Sequence, residues 1–301
     1  MEMKFRAHDT FFIRKGWISK GMRYVNSTDG EVFISKTDNP MDVLGIGANM
    51  VKALRYWLQA LAITEEPKSG KRIQTFTEFG QLIFDYDKYI EELGTLYLLH
   101  YKLVSNLEMA TSWYFFFNEF SLSDFTKDDF ALQIGNYIKI NDENVVVAAR
   151  SIEEDFTCII NTYIPRYKTM PSKVSAENNI DCPLGELGLI DILKKERNNP
   201  VYKKSIPAAS SFNPWVILAV IHDNANGRSE IGLNELLTSV NNIGKVFNLD
   251  SITMLDVLHA VERTGEIKII RTAGLDVINL KHSYTFEECV ERYYEELRAL
   301  S

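Results

Sequence analysis

Cysteine and long apolar runs are what this sequence of 301 residues has least of. Its three cysteines, Cys158, Cys182 and Cys289, are odd in number and far apart, which argues against a disulfide framework and favours a reducing compartment. No run of about eighteen apolar residues occurs, so we expect no membrane span. The first residues also lack the apolar core and cleavage site of a signal peptide. These absences together predict a cytoplasmic protein that makes no contact with a membrane.

An excess of positive charge is also missing from the chain as a whole. Lys and Arg number 33 against 41 Asp and Glu, and hydrophobic residues make up 46%, as in an ordinary globular protein. Residues 1–75, however, hold 12 basic and 8 acidic residues, so the rest of the chain carries a net charge of −12. Such an asymmetry suggests that one end meets a polyanion while the remainder keeps the protein in solution. A chance excess in the first segment is the alternative.

The hydrophobic pattern divides the chain into three regions. Residues 1–85 contain two amphipathic helical stretches, a turn and a short hairpin, which is the order of a winged helix-turn-helix. Residues 86–171 are helical and rich in aromatic side chains, and residues 172–301 repeat the order of helix, turn, helix and hairpin. We therefore predict a mostly α protein with small β-hairpins, in which winged helix-turn-helix modules at both ends flank a helical middle.

Local patterns indicate where these elements begin and which faces they bury. Capping boxes are predicted at Ser151–Glu154 and Thr285–Glu288, and Pro214 is expected in the first turn of a buried helix. A polar linker is expected at residues 169–179 and a hairpin turn at Ala273–Gly274. Apolar residues at helical spacing predict two buried helix faces near the start of the chain. The first face consists of Trp17, Ile18, Gly21, Met22 and Val25. The second consists of Met50, Val51, Leu54, Trp57, Leu58 and Leu61.

The stretch "LGIGANMVKALRYW" at residues 44–57 places Gly45 and Gly47 before the second of these helices. It lacks the third glycine and distant acidic residue of a dinucleotide fingerprint, and it lacks the Gly-Lys-Ser/Thr ending of a Walker loop. A DNA-binding helix-turn-helix fits better, because the face opposite the apolar stripe is basic and polar. A plain backbone turn is the structural alternative.

The basic and amide side chains of this region are the candidate DNA contacts. Lys and Arg neutralise phosphates or pair with guanine, and Asn and Gln pair with adenine. Residues of the hairpin tip would hold a flanking phosphate. A solvated helix face or a protein-docking surface would show the same residue types. The candidates are Lys15, Lys20, Arg23, Asn49, Lys52, Arg55, Gln59, Lys68, Lys71 and Arg72.

The segment "HDTFFIRKGW" is the candidate catalytic stretch. His8 and Asp9 would supply acid–base chemistry on a phosphodiester, and Arg14 would stabilise charge in the transition state. The alternative, which we favour, is structural: Asp9 or Thr10 caps a short helix, and His8 makes a hydrogen bond within the fold.

Metal and cofactor chemistry has little support in the sequence. The histidines and cysteines show no ligand spacing, and His100 fits a buried core position. The weak exception is Asp256 with Glu266 and Lys268, a nuclease-like trio that would take Mg²⁺ or Mn²⁺ and activate water. Solvated hairpin strands often carry the same pattern. No cofactor is otherwise evident.

Six segments, in order, resemble a known family. They are "HDTFFIRKGWISKG", "LGIGANMVKALRYW", "LYLLHYKLVSN", "ATSWYFFFN", "CPLGELGLI" and "GKVFNLD". Together they resemble the bacterial family catalogued as domain of unknown function 4007 over nearly the whole chain. Its members resemble components of DNA phosphorothioation and phage-defence clusters, which also contain a cysteine desulfurase, an ATPase and a sulfurtransferase. The best-described relatives look like the DNA-nicking component of single-strand phosphorothioation systems.

Two hypotheses follow, the first from the basic first region together with the resemblance, and the second from the lack of a metal or nucleophile signature. In the first, the protein is a DNA-binding component of a phosphorothioation-type modification and defence system, with double-stranded DNA and the other system proteins as partners, and it acts as a strand-nicking endonuclease. In the second, it is a non-catalytic winged-helix adaptor or transcription regulator that docks partner proteins. The chain departs from the family pattern at Asp9, where Glu is usual, at Tyr97, where Trp is common, and at Ile243, where proline often stands. The resemblance supplies no catalytic residues, and a shortened carboxylate at Asp9 argues against nicking if that position is catalytic.

Overall fold

The computed structural model describes residues 3–165, 181–195, 199–272 and 275–300. The chain forms two compact units, residues 1–116 with 120–204, and residues 117–119 with 205–301. Both units are mostly helical and carry small antiparallel sheets, which confirms the predicted α-rich class. The expected linker at 169–179 and the turn at Ala273–Gly274 lie outside the described residues. The division into regions at residues 85 and 171 stays a prediction.

The first unit begins with a short segment followed by three helices. These are α1 (Trp17–Ser27), α2 (Pro40–Leu44) and α3 (Ala48–Ala60). The residues that α1 buries are the predicted stripe from Trp17 to Val25. Helix α3 buries its predicted face from Val51 onward, while Met50 at its start is half-buried. The amphipathic spacing therefore identified both helices and the sides on which they pack.

The two glycines of residues 44–57 form the connection between α2 and α3. Gly45 ends α2 in the left-handed conformation, with φ 62°, and Gly47 is the N-cap of α3. Because glycine enters the left-handed region without a Cβ clash, this position suits it. The arrangement fits a turn between two helices.

A two-stranded hairpin follows α3, as predicted. Strand β1 (Thr64–Glu65) pairs antiparallel with β2 (Thr75–Phe76), and α4 (Glu78–Tyr86) begins directly afterwards. The Thr77 side chain accepts a hydrogen bond from the Gly80 backbone N–H and so caps α4. The helix, turn, helix and hairpin order is present, while the winged-helix assignment at either end of the chain stays a prediction.

Aromatic side chains fill the core of the helical middle. The elements are α5 (Leu93–Ser105), α6 (Thr111–Tyr114) with a π-helical turn (Phe115–Glu119), β3 (Asp124–Phe125), α7 (Lys127–Asn141) and α8 (Ala149–Tyr163). Phe116, Phe120 and Phe125 lie edge to face or stacked with centroids 5.2–5.6 Å apart. His100 is buried on α5 with its Nδ1 2.8 Å from the Tyr163 hydroxyl, as expected of a core histidine.

The predicted capping box at Ser151–Glu154 is wrong. Helix α8 begins at Ala149 and has Ala148 as its N-cap, with no side-chain cap. Ser151 therefore already lies in the first helical turn. The Glu154 carboxylate forms ion pairs with Arg150 and Arg6 instead of capping the backbone.

A three-stranded sheet that the sequence analysis did not predict completes the first unit. Its strands are β3, β4 (Ile190–Lys194) and β5 (Val201–Lys204), in the order β3-β5-β4 and all antiparallel. Lys204 Nζ donates to the carbonyl oxygens of Phe116 and Phe120 at 2.8 and 2.7 Å. This lysine, at the end of the central strand β5, joins the sheet to the aromatic core.

The second unit packs further helices and a small sheet around one buried helix. Its elements are α9 (Pro214–Ala225), β6 (Glu230–Gly232), α10 (Leu233–Thr238), α11 (Ile243–Val246), α12 (Ser251–Glu262), β7 (Ile267–Thr272), β8 (Leu275–Leu280) and α13 (Phe286–Leu300). Helix α9 has Pro214 in its first turn, and Thr285 and Glu288 form the predicted capping box before α13. The sheet has the order β6-β8-β7, which adds β6 to the predicted hairpin.

Two properties bear on the expectations about compartment. No helix within the described residues has the length and apolarity needed to cross a bilayer. Cys158, Cys182 and Cys289 are buried free thiols. Burial raises the pKa of Cys182 and of Cys289 to about 12, so both remain protonated at neutral pH.

Two helical glycines give a matched test of this packing. A Cβ on Gly80 in α4 would lie 1.8 Å from the Ile63 carbonyl oxygen, whereas a Cβ on Gly135 in α7 would meet nothing within 4 Å. Gly80→Ala should lower the free energy of unfolding by about 2 kcal/mol or more through overpacking. Gly135→Ala should raise it by about 0.5–1 kcal/mol, because alanine favours the helix. Urea unfolding followed by circular dichroism measures both, and equal effects of the two variants would contradict the packing described.

Candidate nucleic-acid interface

The buried carboxylate of Asp155 on α8 anchors the segment that precedes α1. His8 Nε2 lies 2.7 Å from Asp155 Oδ1, and the Arg6 backbone N–H donates to the same oxygen at 2.9 Å. The Ser112 hydroxyl donates to Oδ2 at 2.6 Å. The imidazole also stacks on Trp57 with ring centroids 5.9 Å apart. Since His8, Ser112 and Asp155 are all buried, the cluster is shielded from solvent.

The charge of Asp155 also affects its buried neighbours. Burial first, and the Asp155 carboxylate second, raise the pKa of Tyr56 and of Cys158 well above their usual values. Both groups therefore stay protonated at neutral pH. The Tyr56 hydroxyl donates to the Met109 carbonyl at 2.8 Å. These contacts describe a structural cluster within the core.

The candidate catalytic residues of the first segment are not joined into one constellation among the described contacts. His8 takes its carboxylate partner from Asp155, 147 residues away, and not from the neighbouring Asp9. Asp9 is half-buried with a left-handed φ of 50°. The Arg14 guanidinium lies over the rings of Phe11 and Trp17 at 5.5 and 5.3 Å. This geometry fits the structural alternative for His8, and a catalytic role for the three stays a prediction.

Carboxylates cover part of the predicted ridge on α3 and the hairpin. Arg55 Nε lies 2.6 Å from Glu66 Oε1, and Gln59 Nε2 donates to the same oxygen at 3.2 Å. Arg72 Nε lies 3.9 Å from the other oxygen of Glu66, and Lys71 pairs with Glu31. Asn49, Lys52 and Lys68 are exposed. The ridge is thus only partly available to a phosphate chain.

Two adjoining clefts lie beside the first turns of α1. Gly16, Ser19 and Tyr89 line both of them. The first cleft, of about 260 Å³, is also lined by Arg14, Lys15, Glu91 and Glu186. The second, of about 380 Å³, is also lined by Lys20, Arg23, Phe84 and Lys88. We call this surface the α1 cleft.

Arg23 and Lys88 of the α1 cleft lie against aromatic rings, whereas Arg55, Lys71 and Arg72 on α3 and the hairpin lie against carboxylates. Within the part of the chain that the structure describes, Lys15, Arg23 and Lys88 form no ion pair with a carboxylate. The Arg23 guanidinium lies over the Tyr24 ring at 4.9 Å, and Lys88 Nζ lies over Tyr89 at 5.2 Å. Helix α1 has no acidic residue in its first turn, so its positive dipole end adds to the local potential.

A short turn after α4 positions two residues of the α1 cleft. The Asp87 carboxylate accepts hydrogen bonds from the backbone N–H groups of Glu91 and Glu92 at 2.9 and 3.1 Å. Ile90 has φ 57°, and its N–H bonds to the Asp87 carbonyl at 3.0 Å. These bonds hold the loop that carries Lys88 and Tyr89. Sequence reasoning missed both residues, although "DKYIEE" after a helix is a local turn signal.

The weak metal candidates in the second unit have separate partners. Glu266 Oε2 lies 2.8 Å from His282 Nδ1 and accepts from the Tyr284 hydroxyl at 3.3 Å. Lys268 pairs with Glu262 at 3.0 Å, and Asp256 is exposed on α12. The described residues contain no group of three or more His, Cys, Asp or Glu side chains placed to hold a metal ion. They therefore do not fit an all-protein metal site.

A cleft of about 270 Å³ lies beside Glu266 in the second unit. His222, His282 and Tyr284 line it. Burial lowers the pKa of His222, and the negative charges of Glu266 and Glu288 oppose that effect. His222 is therefore neutral at neutral pH. Two imidazoles and a phenol thus line one opening, and the Glu266 carboxylate contacts the side chains of His282 and Tyr284.

The fold and its clefts define a mostly helical protein with a cationic cleft beside its helix α1. A family model described as protein of unknown function, DUF4007, matches residues 5–294, so the chain belongs to that family. The family resemblance drawn from the sequence is thereby confirmed. No functionally curated protein matches the chain.

Two solved structures share this fold over nearly the whole chain. One is an SspB crystal structure, with 24% identity, a TM-score of 0.84 and coverage of 98% of this chain and 89% of the other. The second is a magnesium ion-bound SspB crystal structure, with 26% identity, a TM-score of 0.82 and the same coverage. The similarity therefore includes both compact units.

Substitutions at the Asp155 cluster test its structural role. His8→Ala and Asp155→Ala should each lower the free energy of unfolding by at least about 2 kcal/mol, because each leaves a buried polar partner unsatisfied and opens a cavity. Asp9→Ala, at a half-buried position outside the cluster, should change it by less than about 1 kcal/mol. Thermal and urea unfolding measure these values. Wild-type stability in His8→Ala would show that the histidine is not a structural anchor.

Proposed function

We propose that this protein is the DNA-binding component of a DNA phosphorothioation-type modification or defence system, and that the α1 cleft contacts the DNA backbone. The assignment to such a system is supported by membership of the DUF4007 family, whose members resemble phosphorothioation components. The basic first segment and the cations of α1 support the nucleic-acid partner.

The observation that carries the proposal is the contrast between neutralised and free cations. Arg55, Lys71 and Arg72 have Glu66 or Glu31 as partners. Lys15 and Arg23 form no ion pair within the described residues. A lysine or arginine that is already paired with a carboxylate must share or give up that partner before it neutralises a phosphate and releases the counterions of the DNA. The α1 cleft is therefore the stronger phosphate-binding surface.

The predicted DNA contacts accordingly divide into two groups. Lys15, Lys20 and Arg23 form the main set, with the exposed Asn49, Lys52 and Lys68 as flanking contacts. For Arg55, Gln59, Lys71 and Arg72, contact with DNA would require the carboxylates to be shared or displaced. These four remain secondary candidates.

The remaining partners follow from the family resemblance. We propose that double-stranded DNA is the macromolecular target, and that the ATPase, sulfurtransferase and cysteine desulfurase of such systems are the protein partners. A non-catalytic adaptor or regulator is the alternative, and it predicts docking to those proteins without affinity for DNA.

Two double variants that each remove two positive charges test the proposal. Lys15→Gln/Arg23→Gln should weaken binding of a fluorescent DNA duplex at least about tenfold. The slope of log affinity against log salt concentration should also become shallower, by the amount expected for the loss of about two phosphate contacts. Lys71→Gln/Arg72→Gln, which removes cations already paired with Glu31 and Glu66, should weaken it less than about threefold. Fluorescence anisotropy between about 50 and 200 mM salt measures both. The reverse order of effects would contradict the α1 cleft, and a wild-type protein that fails to bind duplex would support the adaptor.

Strand nicking is a second candidate function, favoured by the pair of Glu266 and His282 beside its cleft. Glu266 holds Nδ1 of His282, and Nε2 would take the proton of a water molecule that attacks phosphorus. The P–O bond to one end of the strand breaks, and the leaving oxygen takes a proton from solvent. Residues Asp256 and Lys268 take no part in this arrangement.

Relaxation of supercoiled plasmid, measured with and without Mg²⁺ or Mn²⁺, tests nicking. The wild type should produce nicked circles, and His282→Gln or Glu266→Gln should lose at least about a hundredfold in rate. His259→Gln, at an exposed histidine on α12, is the matched control and should keep the rate. Absence of nicked circles under every condition would remove this function.

A further inference from the structure

Tyr89 is an aromatic side chain left in solvent at the centre of the α1 cleft. Its exposed fraction is 66%, and it is the one aromatic residue among the exposed large hydrophobic side chains of the described residues. A single exposed apolar side chain is common on a protein surface. This one lines both clefts beside α1 and has cations on each side of it.

The charges around Tyr89 are unevenly divided between the two clefts. Lys20, Arg23 and Lys88 line the second cleft without a carboxylate among its lining residues. Glu91 and Glu186 share the first cleft with its cations. The second cleft therefore favours phosphates more strongly than the first, where Glu91 and Glu186 offset part of the positive charge of Arg14 and Lys15.

The loop that carries Tyr89 is held in place without any ligand. The Asp87 carboxylate bonds two successive backbone N–H groups, and Ile90 adopts φ 57° within the same turn. A loop whose backbone is already fixed loses less conformational entropy when it binds a partner. The cleft thus presents a prearranged aromatic surface beside a cationic one.

A cationic groove with an exposed aromatic ring matches one class of ligand. Phosphates follow the cations, and a base stacks on the ring. In a duplex both faces of each base are covered by neighbouring base pairs, so only an unpaired or extruded nucleotide offers a free face to Tyr89. We propose that the α1 cleft binds an unpaired stretch of DNA, with one base stacked on Tyr89 and the adjoining phosphates on Lys20, Arg23 and Lys88. This inference rests on the proposed DNA-binding function and deepens it.

A pair of variants at one position separates stacking from other effects. Tyr89→Ala should weaken binding of a fluorescent single-stranded 12-mer by about 5- to 100-fold, which corresponds to the loss of one stacked base. Tyr89→Phe keeps the ring and should bind within about twofold of the wild type. Since Tyr89 is exposed, both variants should unfold at the wild-type temperature.

An abasic 12-mer provides the second comparison. It keeps the phosphates but has no bases, so the wild type should bind it as weakly as Tyr89→Ala binds the normal strand. Tyr89→Ala itself should bind the two strands equally. Duplex affinity, which depends on phosphate contacts, should stay within about twofold in both Tyr89 variants.

The outcomes distinguish the inference from the proposed function. If Tyr89→Ala binds the single strand as tightly as the wild type while duplex binding still depends on Lys15 and Arg23, base stacking is wrong and the DNA-binding function stands. If the wild type binds neither duplex nor single strand at low salt, the proposed function fails and the inference fails with it.

Discussion

The carboxylate of Asp155 accepts hydrogen bonds from the His8 imidazole, the Ser112 hydroxyl and the Arg6 backbone within a buried site. A buried carboxylate is costly unless its oxygens are satisfied, and these three donors come from separate parts of the first unit. The segment that leads into α1 is thereby fixed to α6 and α8. The placement of Arg14 and Lys15, and hence of one side of the α1 cleft, depends on this interaction.

A second constraint is the distribution of carboxylates among the cations of the first unit. Glu66 lies inside the network of Arg55, Gln59 and Arg72, and its side chain is only 8% exposed. Glu66 thus neutralises part of the positive charge of α3 and the hairpin, while Lys52 and Lys68 stay exposed. The cations beside α1 have aromatic rings as neighbours, and a ring does not cancel their charge as a carboxylate does. A binding surface that the sequence placed mainly on α3 is better supported on α1.

The parts of the fold that could be predicted are those with a local signal. The stripe from Trp17 to Val25, the hairpin after α3 and the capping box at Thr285 each depend on residues a few positions apart. The pairing of β3 with β5 depends on short strands from distant segments, and no local period reveals it. The contact of His8 with Asp155 spans 147 positions and also lacks a sequence signal.

The candidate site shows the same limit. The residue types of a DNA-binding surface were visible as a local excess of Lys and Arg, but their ion pairs depend on three-dimensional neighbours. The adjacency of Glu65 and Glu66 to the basic hairpin tip was the one available signal for neutralisation. Tyr89 lies in a short polar stretch, and its exposure follows only from the turn that Asp87 closes.

Photocrosslinking measures the central claim directly, namely that DNA lies along the α1 cleft. A duplex with a central unpaired stretch containing iododeoxyuridine is bound to the full chain and irradiated, and the modified peptides are mapped by mass spectrometry. The account predicts crosslinks at residues 14–24 and 84–91, with Tyr89 among the modified side chains. Crosslinks confined to the hairpin at residues 64–76, or to residues 205–300, would contradict it.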